Sequence, residues 1–187
     1  MPVWLWVVVA VAAAVAVVAA AGAVLLQRRR ARSAHLRERF GPEYVRAVAE
    51  APSRAAAEKE LAERERRSGE LDIRPLAPES RERFAQRWRE VQQRFVDDPG
   101  GAVRDADRLV QAVMGERGYP TADFEQRAAD LSVANPELVA SYRAAHETYE
   151  RQLSGKATTE ELRHAVVDYR AVFDGLLAAE QERAPAR

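Results

Sequence analysis

The sequence predicts an all-α protein built from an N-terminal transmembrane helix, a helical stalk and a small antiparallel helical bundle. Three observations carry that expectation. The first 26 residues hold no charged side chain, and 24 of them are apolar or aromatic. Beyond Leu26, large apolar residues return every three or four positions in one stretch after another, the period of a single buried helix face. No stretch alternates apolar and polar residues for long enough to make a strand. The expected organisation is a transmembrane helix over 3–26, a basic juxtamembrane segment and charged stalk over 27–70, a helical domain over 71–180, and a disordered tail over 181–187.

All 29 Lys+Arg and 29 Asp+Glu lie beyond Leu26, a mix that suits one water-soluble domain of ordinary composition. The absence of Cys excludes a disulfide framework, a thiol nucleophile and any Cys-ligated zinc or iron–sulfur site.

Val3 to Leu26 reads VWLWVVVAVAAAVAVVAAAGAVLL. As a helix it would span about 36 Å, against a hydrocarbon core of about 30 Å. The rival reading is a cleaved signal peptide, since Ala19 to Ala23 offers small residues of the kind a signal peptidase accepts. Against cleavage stand the missing basic n-region and an apolar run well beyond the ~7–15 residues of a signal h-region. Arg28, Arg29, Arg30, Arg32, Arg37 and Arg39 come next, with Glu38 as the one acid among them. They act as a stop-transfer signal, and by the positive-inside rule they place the N-terminus outside and the C-terminal domain in the cytoplasm. Beside an anionic leaflet each could contribute about 1 kcal/mol of attraction, so the lipid bilayer is the first expected partner. Setting topology is the plainer role of the same residues. Trp4 and Trp6 suit the outer interface.

Gly41-Pro42 interrupts the stripe Leu36, Phe40, Tyr44 and Val48, with Pro42 placed to start a new helix. Ser53 to Gly69 consists almost wholly of strong helix formers, and Leu61 is its one large apolar residue. Its Glu60/Arg64 and Glu63/Arg67 pairs stand four apart in the favourable order, which predicts a solvated helix ending at Gly69. Leu71 to Pro78 reads as an extended linker.

Four longer helical patterns and one short one complete the chain. Phe84, Trp88, Val91 and Phe95 share a stripe that Asp98-Pro99-Gly100-Gly101 stops. Ala102 to Glu116 faces Val103, Ala106, Val110, Val113 and either Met114 or neighbouring Leu109 inward and closes at Gly118-Tyr119-Pro120. Asp123 caps a short helix bearing Phe124, Ala128 and Leu131. Asn135-Pro136 predicts the next start, followed by Leu138 or Val139, Tyr142, His146, Tyr149 and Leu153 in register up to Gly155. Thr158 and Glu161 form a capping box before Leu162, Val166, Tyr169, Phe173 and Leu176. Several such stripes are buried together most simply in an antiparallel bundle.

The segments Phe40-Gly41-Pro42-Glu43-Tyr44, Leu71-Asp72-Ile73-Arg74-Pro75-Leu76, Trp88 with Val91-Gln92 and Phe95-Val96-Asp97, Arg117-Gly118-Tyr119-Pro120, and Phe124 to Ser132 occur in a suggestive order. Jointly they resemble a family of short bacterial proteins with one N-terminal anchor and no assigned activity. The likeness runs over about residues 36 to 177. It implies a bacterial membrane protein and carries over no catalytic residue.

Candidate chemistry is sparse. His146 alone of the three histidines lies on an apolar stripe, where it is either a general base or ligand or, more ordinarily, a hydrogen-bonded core imidazole. Glu161-Leu162-Arg163-His164 matches one half of a di-iron motif, but Arg143 stands where a second copy at His146 would need its Glu, and the capping box already uses Glu161. No nucleophile elbow, phosphate-binding loop or dinucleotide fingerprint occurs, so neither an enzyme nor a cofactor is expected. Phe124, Glu125, Arg127 and Asp130 are read either as a recognition surface or as charges tying a short helix to its neighbours. The chain outside the arginine-rich segment is net acidic, which would repel nucleic acid. The preferred expectation is a membrane-anchored adaptor, scaffold or regulator that binds a protein of unknown identity. An enzyme or ligand-binding bundle centred on His146 and a self-associating homo-oligomer are the alternatives.

Overall fold

The computed structural model describes residues 3–120 and 123–178, with side chains from residue 16 onward. Its described residues form helices α1 (Val3–Phe40), α2 (Pro42–Glu50), α3 (Arg54–Glu70), α4 (Pro78–Asp97), α5 (Pro99–Glu116), α6 (Phe124–Ala134), α7 (Leu138–Leu153) and α8 (Thr159–Ala178), and no strand. The all-α class is therefore observed. The chain divides into two compact units, Met1–Arg39 and Phe40–Arg187.

The first unit is the body of α1. Among the described residues no helix is long and apolar enough to cross a membrane. The expected span over 3–26 falls in α1, but the side chains of residues 3–15, more than half of it, lie outside the described residues. The six arginines from Arg28 to Arg39 are all exposed along the same helix. The expected disordered tail also lies outside the described residues.

In the second unit, α5 is the central element. Ten of its 18 residues are buried, among them Val103, Ala106, Val110 and Val113 as expected, and both of the alternatives Met114 and Leu109. The core around it joins Phe84, Trp88 and Val91 of α4 to Tyr142 of α7 and to Leu162, Tyr169, Phe173 and Leu176 of α8. Trp88 stacks on Phe173 with ring centroids 4.9 Å apart, an arrangement that adds ring attraction to the area buried. The sequence anticipated these stripes, with one departure. Leu153 is exposed, because α7 ends there and Gly155 at φ 68° turns the chain away.

Several helix ends are set by local chemistry. Ser53 accepts from the Ala56 N–H, Asp123 from Gln126 N–H, and Thr158 and Glu161 form their reciprocal box. Asp98 does more than stop α4. It caps α5 directly, its Oδ1 2.8 Å from the Gly101 N, with Pro99 at the first helical position, so α5 begins three residues before the expected Ala102. That N–H and then Arg94 hold the Asp98 carboxyl below its ordinary titration range. In contrast, Asn135 does not open α7. Its N–H is spent on the Leu131 carbonyl as the C-cap of α6, and α7 starts at Leu138.

Residues 40–70 depart most from expectation. In place of a solvated stalk, α2 and α3 pack on one another and against α6 and α7. Phe40, Tyr44, Ala47, Ala57 and Leu61 are buried. The reason is that α3 needs little apolar area to dock: Ala57 and Leu61, four apart, make one narrow contact line and charged residues complete the interface.

The linker from Leu71 is extended, as predicted, and is pinned by the turn after α5. Arg74 N–H donates to the Arg117 carbonyl at 2.9 Å, while the buried Arg117 guanidinium donates through Nη1 to the Leu176 carbonyl near the end of α8 at 2.8 Å. Gly118 sits at φ 96°, and a Cβ there would collide with the Asp72 carbonyl oxygen. Gly118→Ala should therefore destabilise the domain by about 2 kcal/mol or more, read as a lower urea midpoint with unchanged m-value. An unchanged midpoint would show that the turn is not constrained by the linker.

Candidate functional site

The residues singled out in the sequence converge in part. Capping by Asp123 sets the first turn of α6 and holds Phe124 against α7, where its ring lies on the His146 imidazole at 3.6 Å and 10° between planes. Tyr149 continues the ring series, 5.6 Å from His146. Phe124, Glu125 and His146 line one open groove of about 750 Å³ together with Arg46, Asp123, Arg143 and Glu147. Three of the expected candidates thus share a surface.

Beneath the groove lies a polar cluster inside the core. Asp107 of α5 is buried and accepts from the Tyr169 hydroxyl at 2.9 Å and from Gln111 Nε2 at 2.5 Å. Its Oδ1 is 3.9 Å from His146 Nδ1, while His146 Nε2 is 3.7 Å from Glu150. Both distances exceed hydrogen-bonding range, and the buried Nδ1 has no hydrogen-bond partner among the described residues. Tyr142 accepts from Arg127 Nε at 3.0 Å, and its ring meets Tyr169 edge-on at 6.4 Å. Burial pushes both phenols up, Tyr169 well above its usual range with the Asp107 carboxylate adding to the effect, and Tyr142 against the lowering effect of Arg127. Neither ionises under ordinary conditions, so each serves as a neutral hydrogen-bonding group.

Arg127 and Asp130 do not join the groove. Both are buried, Arg127 turned toward Tyr142 and Asp130 toward Gln126, whose Nε2 donates to Oδ1 at 2.8 Å. Gln126 in turn accepts from Arg67 of α3 at 2.6 Å. Arg127 thus ties α6 to α7 directly and Asp130 joins α6 to α3 through Gln126, while Phe124 and Glu125 lie on the groove surface.

The groove borders a second charged centre that the sequence did not reveal. Glu43 of α2 is buried, and its Oε1 receives Arg64 of α3 at 3.2 Å, Arg143 of α7 at 3.2 Å and Arg46 at 3.4 Å. Arg143 also reaches Glu125 at 2.8 Å, joining this centre to the groove wall. An i,i+3 pair with Arg46 is all that spacing offers at Glu43, because its other partners lie 21 and 100 positions away. Asp107 was legible in principle: it falls between Ala106 and Val110 on the inward face of α5.

His164 is exposed and lies 3.1 Å from Glu160, and Glu161 is held by Thr158 and, at 2.7 Å, by Arg151. Among the described residues no group of three or more His, Cys, Asp or Glu is placed to hold a metal ion. Comparison of the chain with protein-family models, curated proteins and solved structures gives no match.

Asp130 supplies a test of the α3–α6 interface. Burial raises its carboxyl above the usual range, against the lowering effect of Gln126, Arg67 and Arg64. The folded state therefore binds the proton more tightly than the unfolded chain does. Its contribution to stability is full below the ordinary carboxyl range of about 4 and is lost as pH rises through the raised folded value. Asp130→Asn should stabilise the domain at pH 7 and flatten this part of the profile, measured by urea unfolding across the acid range. A variant that loses stability at pH 7 but not at about pH 3 would show that Asp130 works as a charged partner.

Proposed function

We propose that this protein is a membrane-anchored adaptor, scaffold or regulator. In this reading its helical domain lies on the cytoplasmic side and binds another protein at the groove formed by Phe124, Glu125 and His146. The observation that carries the proposal is a single continuous helix, α1, on which an uncharged apolar run leads directly into a row of exposed arginines. At 1.5 Å per residue its 38 residues extend about 57 Å, enough to span a bilayer and continue past the headgroups. The arginine row supports a cytoplasmic orientation for the helices C-terminal to it and adds attraction for an anionic leaflet.

The groove supports the binding half of the proposal. Phe124 and His146 give it a flat aromatic floor, and Glu125 and Arg143 give it a polar wall, the composition of a protein contact with an aromatic anchor. Expressed protein should remain with membranes through alkaline carbonate extraction and lose that behaviour when residues 3–26 are deleted. Affinity capture from detergent-solubilised membranes should recover a partner that Phe124→Ala combined with Glu125→Arg releases. Extraction of the full chain by carbonate, or a partner indifferent to the groove variant, would overturn the corresponding half.

A second reading, a small-ligand site at His146, is favoured by the placement of a half-buried imidazole in an open groove with a buried carboxylate behind its Nδ1. Native mass spectrometry of the purified chain would then show a co-purifying small molecule that His146→Ala loses. A mass equal to the polypeptide alone in both forms counts against this reading.

A further inference from the structure

The second unit contains two kinds of packing. Its main core is built only from residues between Leu76 and Leu176, contributed by α4, α5, α6, α7, α8 and the segments that join them. The buried apolar residues of α2 and α3, namely Tyr44, Ala47, Ala57 and Leu61, stand apart from that core. So do Ala129 and Val133 of α6, which lie at helical spacing on the face that also carries Gln126 and Asp130. That face meets α3 through the Arg67–Gln126–Asp130 chain of hydrogen bonds. The contact of α2 with α7 is centred on Glu43, a buried carboxylate on which guanidinium groups from α2, α3 and α7 converge. Hence α2 and α3 are held by a short apolar line and by charge, while the remaining helices are held by a continuous hydrophobic core.

We infer that α2 and α3 form a strap that undocks as a unit from the intact α4–α8 bundle, with Glu43 as its latch and the Gln126–Asp130 face of α6 as the surface it covers. Segments with few buried apolar contacts open below the global unfolding free energy, and a buried carboxylate that loses its pairing is strongly disfavoured. The chain geometry permits such motion. Gly41, at φ 49° and with open space where a Cβ would lie, precedes the strap, and at its other end the chain leaves α3 in extended form at Leu71, just before the linker is held by Arg117 at Arg74. Opening would bare Asp130, whose Oδ2 is buried and has no hydrogen-bond partner among the described residues. Access to this part of α6 would thereby depend on the state of Glu43. The inference concerns the folded domain alone and is independent of the proposed membrane anchor and partner.

Hydrogen exchange of the full-length chain, monitored by mass spectrometry, tests it. In Glu43→Gln, which keeps the shape and removes the charge, amides of α2 and α3 should exchange roughly a hundredfold faster, while α5 and α8 keep wild-type protection. Leu61→Ala, which weakens the apolar line without touching the latch, should accelerate the same two helices. Equal acceleration in α5 and α8, or loss of the whole fold in both variants, would show one cooperative unit and overturn the strap. Selective opening in Leu61→Ala with Glu43→Gln at wild-type rates would overturn Glu43 as the latch.

Discussion

The domain depends on the burial of α5. A helix with ten of 18 residues out of solvent must be covered on more than one side, and a helix that is apolar around much of its circumference has to lie inside a layer of others. Through Asp98, α4 joins it with a one-residue turn and lies along one flank. Another part of the α5 surface is covered by α8, which α7 precedes by only the Ser154–Thr158 connection. Once α5 is central, the inward stripes of α4 and α8 meet each other as well, which is why Trp88 and Phe173 stack although they lie on helices at opposite ends of the bundle's sequence. The turn after α5 then determines where the linker runs, since Arg117 and Gly118 hold the linker and the end of α8 at once.

That same burial makes Asp107 costly. A carboxylate inside an apolar helix face is tolerated only when hydrogen-bonded, and the Tyr169 hydroxyl and Gln111 amide meet that need. The consequence reaches the surface. His146, one turn on from Tyr142 along α7, faces this cluster with its buried Nδ1, 3.9 Å from Asp107 Oδ1, and lays its ring on Phe124 at the groove floor. A substitution at Asp107 would disturb the core and the groove together, whereas one at Glu125 touches the groove wall.

Long regular stripes were legible in the sequence because burial repeats there every turn: α4, α5 and α8 appear with their inward stripes, as do the caps at Asp123 and Thr158. Legibility failed where docking is polar. The 17 residues of α3 bury only Ala57 and Leu61, so their pattern is that of a solvated helix, and its charged face gave no sign that Arg64 and Arg67 would find partners on α2 and α6. The site was half legible for the same reason. Phe124, Glu125 and His146 were identified from an apolar edge and an aromatic stripe, but Arg143 and Glu43 belong to the site through tertiary pairing, which leaves no periodic trace.

Such pairing bears on what the polar interface can contribute. A buried carboxylate ringed by three guanidinium groups gains little net stability over an apolar contact of equal area, because each charge has given up water. Its members share further partners: Arg46 also pairs with Glu50, Arg64 with Glu60 and Arg143 with Glu125, so the interface is a network of shared charges. An apolar interface of equal area would depend on area alone. Docking of α2 and α3 is thus largely polar, beside a bundle held by a continuous hydrophobic core. The groove lies where these two regions meet, with Arg143 bonded to Glu43 on one side and to Glu125 on the other. Arg143 thus bonds the buried Glu43 of α2 and the groove-wall Glu125 of α6 at once, and through it α7 is tied to both helices.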